Sequence, residues 1–412
     1  MKKLLQLTLS LLIISGAGLV SCTESDDYAG SETENKVLLI SMDGFMNEYL
    51  ERNETPNFDR FIAGGVKAEH MIPAFPTKTF PTHWTIATGL YTENHGVIAN
   101  SFSDPNLDGY FSYGPQESPN DERWWQGEPI WITAENQGLT SALMFWPGSE
   151  ASINGVHASH YKDYDGSVPN ASRIDTVVSW LDPAGEVDAD FSTLYFSHVD
   201  SRGHSYGPNS PEVDEAVVNA DSLLGYLLDE IEAKGFSDRL NILLTSDHGM
   251  AELSEDKVIF LDDMISLNDV EVVDWSPVAM LRPEDGKKEE VYNALKENEE
   301  NYTVYYRDEL PREYRFSNHE RIPEIIMIAD LPYSITTRSN FEERGIIAGT
   351  HGFDHRSPEM ATIFFATGPS IKADKKIAPF ESVHLYELMA KLLNVDPAKN
   401  DGELNVLRHI LK

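Results

Sequence analysis

Cysteine is almost absent from this chain, which has one among 412 residues, Cys22. A single thiol cannot form an intrachain disulfide, so the fold must be stabilised by a hydrophobic core and polar contacts. Long apolar runs are also scarce, and none after Lys36 is long enough to span a bilayer. These absences exclude a disulfide-dependent scaffold and a membrane-spanning segment beyond Lys36.

Basic residues are in short supply: 32 Lys and Arg stand against 68 Asp and Glu, for a net charge of −36. Loss of Lys2 and Lys3 with a cleaved leader would bring the mature net charge to −38. A protein that binds a long phosphate backbone normally presents a basic face, so the charge argues against nucleic-acid polymers as substrates. A strongly charged, solvated surface also predicts a monomer.

The N-terminus has the pattern of an export signal. Two lysines precede an apolar run that is too short for a membrane span and ends in Leu-Val-Ser-Cys, which resembles a bacterial lipobox. We interpret residues 1–21 as a lipoprotein signal peptide, Cys22 as a lipid anchor in the membrane and the acidic residues 22–35 as a tether. An ordinary signal peptide with an incidental cysteine is the alternative. Thr23, rather than Asp, after the anchor favours the outer membrane of the cell envelope, facing the periplasm or the medium.

Short apolar runs alternate with helical patterns from residue 36 to the C-terminus. The longest helical pattern, about 211–234, carries its apolar residues along one face. Such alternation predicts an α/β fold with a doubly wound, mostly parallel sheet and helices on both faces. Residues of about 265–345 break the rhythm with short alternating runs and one polar helix. We therefore predict a catalytic domain over 36–412 with a small inserted α+β subdomain.

Acidic residues and histidines follow the predicted strands where those strands end. Doubly wound sheets bind their ligands beyond the carboxyl ends of the strands. A lone Asp or His there is more often a cap or a structural residue, but three of each supply two zinc ions with three ligands apiece and leave a position open on each ion. The candidate ligands are Asp43, Asp200, His204, Asp247, His248 and His351.

A threonine lies between the first two of these strand ends, in the string PTKTFPTH. Thr79 precedes Phe80 and Pro81, and the following residues indicate that it opens a helix. A helix N-terminus supplies backbone donors and a field that favours an alkoxide or a phosphate. Because a metal lowers the pKa of a bound oxygen, we predict Thr79 as a metal ligand and as the nucleophile of phosphoryl transfer. His83 is expected to fix this turn by a hydrogen bond.

Several strings together are more specific: FPTKTFPTHWTIATG, GVIAN, HVDSRGH, TSDHGM and GTHGFDH. In this order they resemble the nucleotide pyrophosphatase/phosphodiesterase family of the alkaline phosphatase superfamily, from about residue 36 to the C-terminus. The resemblance implies an alkaline phosphatase-like fold, two zinc ions per chain and Thr79 as a covalent nucleophile. It assigns one zinc to Asp200, His204 and His351, and the other to Asp43, Asp247, His248 and Thr79.

The resemblance also implies substrate contacts. Asn100 matches an asparagine that donates to a phosphate oxygen, and is assigned a catalytic role. Phe80 and Tyr161 match aromatics that sandwich a nucleobase, and Tyr195 matches a tyrosine of the same pocket. The chain departs from the family pattern at Thr82, where Asn is usual; since that position holds no metal, we expect activity to be intact.

The resulting hypothesis is a zinc-dependent enzyme that cleaves nucleotide phosphodiester and pyrophosphate bonds through a nucleotidyl-threonine and releases nucleoside 5′-monophosphates. Its partner would be a nucleotide or another small phosphodiester. One alternative keeps the metals but acts on phosphocholine or glycerophospho headgroups, or on phosphomonoesters. A monoesterase needs extra positive charge, and Lys78 is the only cation near Thr79 in the sequence. A ligand-binding lipoprotein with a dead site would have lost a metal ligand, and none of the six is missing.

Overall fold

Eight strands form the central sheet of the computed structural model, which describes residues 35–107, 109–113 and 118–412. Five of the seven strand pairings are parallel, and both antiparallel pairings involve Phe364–Thr367. The predicted mostly parallel sheet is therefore confirmed. From edge to edge the strands are Lys375–Ile377, Gly65–Ala68, Phe364–Thr367, Leu240–Thr245, Lys36–Met42, Phe191–Phe196, Ser141–Met144 and His160–Lys162.

Alternate residues of the strand Lys36–Met42 face two separate hydrophobic cores. Val37 and Leu39 pack into one core, and Leu38 and Ile40 pack into the other. All four side chains are fully buried. A strand that is buried on both sides requires cover above and below the sheet, so the predicted doubly wound architecture is present.

Helices cover both faces of the sheet. The core of Val37 and Leu39 is covered by Thr79–Thr88, Ile130–Asn136, Leu385–Leu393 and Leu404–Leu407, with the short helix Thr92–His95 following the first of these. The core of Leu38 and Ile40 is covered by Tyr49–Arg52, Pro56–Ala63, Asn170–Leu181, His198–Tyr206 and Pro211–Lys234.

The longest helix has the predicted bounds, Pro211–Lys234, and its ends follow from local chemistry. The Ser210 hydroxyl accepts a hydrogen bond from the Val213 amide at 3.3 Å, and Pro211 occupies the first turn, where no amide donor is needed. The helix stops at Gly235, whose φ of 76° lies in the left-handed region that glycine tolerates.

A second, wholly antiparallel sheet occupies the part of the chain where the alternation breaks. Its strands, in spatial order, are Val270–Asp274, Val278–Pro283, Ile325–Ala329 and Tyr302–Tyr306. The helix Lys288–Glu297 packs against it through Val291 and Leu295. A further helix, Arg338–Arg344, follows before the chain returns to the central fold. This segment thus builds a small α+β core of its own.

Four two-stranded ribbons complete the described fold. They pair Met71–Ile72 with Phe380–Glu381, Ser101–Ser103 with Tyr110–Ser112, Ala251–Glu252 with Gly349–Thr350, and Val258–Phe260 with Ser334–Thr336. Within the described ranges no helix has the length and hydropathy needed to cross a bilayer. The predicted signal peptide, the lipidation site at Cys22 and the tether up to residue 34 lie outside the described residues.

Candidate two-metal active site

Neighbouring parallel strands deliver the first candidate ligands to one edge of the central sheet. Asp43 directly follows the strand Lys36–Met42, and Asp247 comes two residues after the adjacent strand Leu240–Thr245. Because parallel strands end side by side, residues distant in sequence meet there. Both carboxylates are buried, with 1% and 0% of their surface exposed.

Asp200, His204 and His351 form the first cluster. Asp200 and His204 are one turn apart on the helix His198–Tyr206 and therefore share a face. The Nε2 atoms of His204 and His351 lie 3.2 and 3.8 Å from Asp200 Oδ1. The structure thus brings together the three residues predicted for one zinc, with ligand atoms close enough for a single ion.

Asp43, Asp247, His248 and Thr79 form the second cluster. His248 Nε2 lies 3.0 Å from Asp247 Oδ2 and 3.4 Å from Asp43 Oδ1. Thr79 Oγ1 lies 3.2 Å from the same nitrogen. Asp43 and His248 also lie within reach of Asp200, so the two clusters are adjacent. The structure thus brings together the four residues predicted for the second zinc, and Asp43 and Asp247 also lie within ligand distance of His83.

All three candidate histidine ligands are oriented in the same way. Each has Nδ1 at a backbone carbonyl, so Nδ1 carries the proton and donates, and Nε2 is left with its lone pair for a metal. For His204, His248 and His351 the acceptors are the carbonyls of Gly349, Gly249 and Thr77, at 2.9, 2.9 and 2.8 Å. Such outer hydrogen bonds are the usual support of histidine ligands.

Three carboxylate oxygens provide an independent test of whether cations fit. Asp43 Oδ1, Asp200 Oδ1 and Asp247 Oδ2 are shut off from solvent and have no hydrogen-bond partner among the described residues. A buried, unpartnered carboxylate oxygen is costly unless a cation faces it. Each of these oxygens belongs to one of the two clusters, so the donor set fits two borderline dications such as zinc.

The pKa values of the protein groups show the same need for positive charge. Burial, followed by repulsion from Asp247 and Asp200, raises the pKa of Asp43 well above its usual range. Burial opposes a charged His248, but the attraction of Asp247 and Asp43 outweighs it and raises the pKa of His248 to about 10. Burial and the neighbouring His248 lower the pKa of His351. Asp43 and His248 therefore favour proton uptake where dications would otherwise supply the charge, whereas His351 is kept neutral.

His83 lies among the ligands without being available to a metal. It is fully buried, and its Nδ1 lies 3.3 Å from Asp247 Oδ2. However, Nδ1 is closer to the Thr79 carbonyl, at 2.8 Å, and Nε2 lies 2.8 Å from the Ser41 hydroxyl. Both ring nitrogens of His83 are thus engaged by hydrogen bonds. The expected hydrogen bond from His83 to the turn at Thr79 is present.

Thr79 is the first residue of the helix Thr79–Thr88, as predicted. Thr82, the residue that departs from the family pattern, is fully buried, and its hydroxyl donates to the Lys78 carbonyl at 2.6 Å. This bond lies inside the first helical turn and does not involve either cluster. Thr82 therefore supports the helix start and leaves the ligand geometry untouched.

Asn100 is fixed beside Thr79, the predicted nucleophile, by a backbone contact. Its Oδ1 accepts a hydrogen bond from the Phe80 amide at 2.9 Å. Because an amide N–H can only donate, the side-chain oxygen of Asn100 must face it, and the NH₂ group is directed elsewhere. This orientation leaves Asn100 able to donate to a phosphate oxygen, the role that the resemblance implies.

Phe80 lies in an aromatic cluster at the start of the same helix. Its ring is near-parallel to Trp125, with centroids 6.1 Å apart, and meets Phe111 edge-on at 5.6 Å. Tyr113, which is 65% exposed, lies 6.3 Å away. One face of the predicted base-binding slot is therefore supported by packing.

The other two predicted pocket residues are placed differently from each other. Tyr161 is 38% exposed and stacks on His157, with ring centroids 5.3 Å apart. Tyr195 is 7% exposed, and its hydroxyl donates to Asp43 Oδ2 at 2.5 Å. The contact found for Tyr195 is thus with the carboxylate of a candidate metal ligand, whereas the sequence led us to expect a side chain lining the pocket.

Sequence reasoning also missed the partner of Lys78. Its ammonium forms an ion pair with Asp274, at the end of the first strand of the second sheet. These residues are 196 positions apart, and no local pattern around Asp274 marks it. The available signal was a lysine directly before the predicted nucleophile, because a charge that becomes buried there requires a partner.

The fold and the site together define a class. They are those of hydrolytic enzymes of the alkaline phosphatase superfamily, which have a mixed α/β fold, with a candidate two-metal centre at the carboxyl edge of a mostly parallel sheet. A model of the type I phosphodiesterase/nucleotide pyrophosphatase family matches residues 37–354. The chain belongs to this family and is an enzyme of that class.

Individual relatives agree with this assignment. Human ectonucleotide pyrophosphatase/phosphodiesterase family member 7 is 38% identical over 99% of this chain and 89% of the human protein. A venom phosphodiesterase of Crotalus durissus collilineatus is 36% identical over 93% of this chain and 47% of the venom protein. Murine ectonucleotide pyrophosphatase/phosphodiesterase 5, solved as an inactive threonine-to-alanine variant in complex with AMP, matches with a TM-score of 0.88 and 33% identity, over 92% of this chain and all of that chain.

Proposed function

We propose that this protein is a zinc-dependent nucleotide pyrophosphatase/phosphodiesterase that acts through a nucleotidyl-threonine at Thr79 and releases nucleoside 5′-monophosphates. The observation that carries the proposal is the position of Thr79 Oγ1, 3.2 Å from His248 Nε2 at the first turn of a helix. A hydroxyl at that place faces the candidate metal centre and the backbone donors of a helix N-terminus together.

Each chain residue has a defined part in the two steps. Zinc ions, when bound, supply the positive charge that stabilises a phosphate group in displacement. Thr79 Oγ loses its proton to solvent and attacks the α-phosphorus; an Oγ–P bond forms, and the bond to the leaving oxygen breaks on the opposite side, with its electron pair staying on that oxygen. Asn100 donates to a non-bridging oxygen. Water then displaces Thr79 in line: its hydroxyl group stays on the phosphorus of the released monophosphate, and its other proton replaces the one that Thr79 lost.

The nucleotide specificity is supported by a relative and by the aromatic surroundings of Thr79. The murine neighbour was solved with AMP and is inactive with alanine in place of a threonine. In the present chain Phe80 offers a flat ring directly beside Thr79, supported by Trp125. A flat, packed ring suits a nucleobase.

The phosphomonoesterase alternative is not favoured by the charges around Thr79. A monoester carries one more negative charge than a diester, and Lys78, the nearby cation, is already paired with Asp274. Among the described residues, the hydrogen bonds and ion pairs of Thr79, Asn100 and the six ligands do not involve an arginine. The site therefore lacks extra positive charge beyond what metals would supply.

Product analysis of the wild type and two variants tests the proposal. Wild-type protein is expected to convert ATP and a dinucleotide to nucleoside 5′-monophosphates and to leave a monophosphate intact. Thr79→Ala should lower the rate by several orders of magnitude, while Thr79→Ser, which keeps a hydroxyl, should retain part of it. Intact-mass analysis should detect a nucleotidyl adduct in the wild type but not in Thr79→Ala. Full activity of Thr79→Ala would mean that water attacks directly; preference for glycerophosphocholine would point to the headgroup diesterase.

We also propose that the mature protein is a monomer anchored in the envelope by a lipid on Cys22, with the outer membrane as its site. Metabolic labelling with palmitate should mark the wild type and not Cys22→Ser, and sedimentation of the detergent-solubilised protein should give the monomer mass. A soluble, unlabelled wild-type protein would favour the ordinary signal peptide.

A further inference from the structure

The second sheet contacts the turn of residues 76–79, which we call the nucleophile turn, through one largely buried ion pair. Lys78 directly precedes Thr79, and its ammonium pairs with Asp274 Oδ2 and lies 3.5 Å from the Ser276 carbonyl. The side chains of Lys78 and Asp274 are 9% and 16% exposed. A largely buried ion pair holds its partners in a defined geometry, because moving one charge away would leave the other buried without its counter-charge.

The backbone of Lys78 is equally constrained. Its carbonyl accepts hydrogen bonds from the Thr82 amide at 3.0 Å and from the Thr82 hydroxyl at 2.6 Å, and its own amide donates to the Pro76 carbonyl at 2.7 Å. The backbone of Lys78 is therefore part of the hydrogen-bonded first turn of the helix that begins with Thr79.

An irregularity in its own strand sets the direction of the Asp274 side chain. The register between Val270–Asp274 and Val278–Pro283 shifts between Val272 and Asp274, which is the irregularity of a β-bulge. Bulges redirect a side chain and are common next to active sites. The Trp275 amide donates to Asp274 Oδ1 at 2.9 Å, so that one carboxylate oxygen is fixed and the other is presented to Lys78.

A third segment closes the junction. Gly352 follows the candidate ligand His351, has a φ of +110°, and a β-carbon on it would lie 2.8 Å from Pro277 Cδ and 3.1 Å from Lys78 Cε. Its amide donates to the Thr77 hydroxyl at 3.0 Å. The nucleophile turn, the loop of His351 and the turn of the second sheet are thus in direct contact, without room for another methyl group.

From this junction we propose that Asp274, acting through Lys78, is a positioning residue for Thr79: the inserted sheet sets the place of the nucleophile. The inference rests on the proposed role of Thr79 and adds that the second sheet has a catalytic purpose beyond its own stability. A displacement of about 1 Å at a reacting atom can lower a rate by about 100-fold.

The test compares Asp274→Asn and Lys78→Met with wild type on bis-p-nitrophenyl phosphate, a small diester. Both variants are expected to lower kcat by about 10- to 100-fold, with KM changed less than about twofold and zinc content unchanged. Lys78→Arg should recover part of kcat, because it restores the charge. Inhibition by vanadate, which requires an aligned nucleophile, should weaken in step with kcat, whereas binding of AMP should be retained.

Lys36→Met is the matched control. Lys36 is also buried and paired with an aspartate, Asp188 at 2.7 Å, but it lies at the opposite end of the strand that leads to Asp43. Its loss should lower the melting temperature and leave kcat per zinc-loaded chain unchanged. If Asp274→Asn behaves like Lys36→Met, the pair only stabilises the fold and the inference is overturned.

Two further results distinguish a failure of this inference from a failure of the proposed function. Should Asp274→Asn fail to fold, Asp274→Glu keeps the charge and lengthens the side chain by one methylene, so kcat should still fall; an unchanged kcat overturns the inference. Activity of Thr79→Ala close to wild type would instead overturn the proposed function, because that variant does not alter the Lys78–Asp274 pair.

Discussion

The Tyr195 hydroxyl donates a hydrogen bond of 2.5 Å to Oδ2 of Asp43, deep inside the protein. The bond leaves the other oxygen of the same carboxylate, Oδ1, free of protein donors and directed at His248, 3.4 Å away. One tyrosine therefore determines which oxygen of Asp43 is available to a metal. Burial and, after it, repulsion from Asp43 raise the pKa of Tyr195, so it stays a donor.

Tyr195→Phe is accordingly expected to weaken metal binding. Loss of a hydrogen bond that orients a ligand typically lowers metal affinity by about 10- to 100-fold. Competition with a chelator, read as zinc retained per chain, measures the effect. Tyr164→Phe is the control. The ring centroids of Tyr164 and Tyr195 are 6.1 Å apart, but Tyr164 is 52% exposed. Unchanged zinc affinity with a raised KM for nucleotides would instead support the pocket role suggested by the sequence.

The positions of Asp43, Asp200 and Asp247 could be predicted from the sequence because each follows a recognisable apolar strand, and parallel strands bring their ends to one edge. The expected fourth strand was wrong: His351 follows Gly349–Thr350, which belongs to an antiparallel ribbon outside the central sheet. Asp43 and Asp247 are 204 positions apart, yet the register Lys36 to Leu240 places their strands side by side. The mostly parallel sheet and the bounds of Pro211–Lys234 follow from the same periodic signals.

What could not be predicted are contacts made by single side chains across unrelated segments. Nothing in the residues around Asp274 or Tyr195 reveals that they face Lys78 and Asp43, since those distances are set by the packing of whole elements. Tyr195 shows the limit most clearly: its alignment with a pocket residue says nothing about where its hydroxyl points. Buried polar groups must find partners, but sequence does not identify them.

Phe80→Ala tests whether the aromatic cluster binds a base. Stacking on a ring contributes about 1–3 kcal/mol per base in nucleic-acid binders, so kcat/KM for nucleotides should fall by roughly 10- to 100-fold. The rate with bis-p-nitrophenyl phosphate should hardly change. Because Phe80 also packs on Phe111 and Trp125, Phe80→Leu serves as a variant that fills the space without a flat face. Equal losses on both substrates would indicate a structural role, and no loss on either would favour headgroup diesters.

The metal-free protein should respond to pH in a way that the zinc-loaded protein does not. Burial disfavours charge on His248, but Asp247 and Asp43 raise its pKa from 6.5 to about 10 in the folded chain. Since the folded pKa is the higher one, proton binding stabilises the fold fully below pH 6.5, and this contribution is lost as the pH rises towards 10. The melting temperature of chelated protein should therefore fall across that window.

Zinc on Nε2 would replace this proton, so the zinc-loaded protein is expected to melt at a higher temperature and to lack the slope. Scanning calorimetry of chelated and zinc-supplemented samples at matched pH measures both quantities. Chelated His248→Asn, which has no titratable ring, is the control and should lose most of the slope. Identical pH profiles for chelated and loaded wild type would contradict a metal at this nitrogen.

A buried ion pair joins the segment that precedes the strand Ile325–Ala329 to the residue that directly follows the strand Ser101–Ser103. Arg321 is 1% exposed and pairs with Asp104 at 2.5 Å, and its remaining donors reach the carbonyls of Gly96, Trp124 and Arg123. Removing the carboxylate leaves a guanidinium buried without its counter-charge. Asp104→Ala should therefore lower the free energy of unfolding by about 3–5 kcal/mol.

Urea unfolding of zinc-loaded protein measures this loss. Asp263→Ala removes the exposed pair with Arg338 and should cause no measurable change, because solvent screens that contact. Asp104→Asn keeps an acceptor for Arg321 and should lie between wild type and Asp104→Ala. A loss for Asp104→Ala as small as that of Asp263→Ala would mean that the three carbonyls and the rings of Phe102 and Trp124, 5.4 and 5.6 Å from the guanidinium carbon, suffice to hold the buried charge.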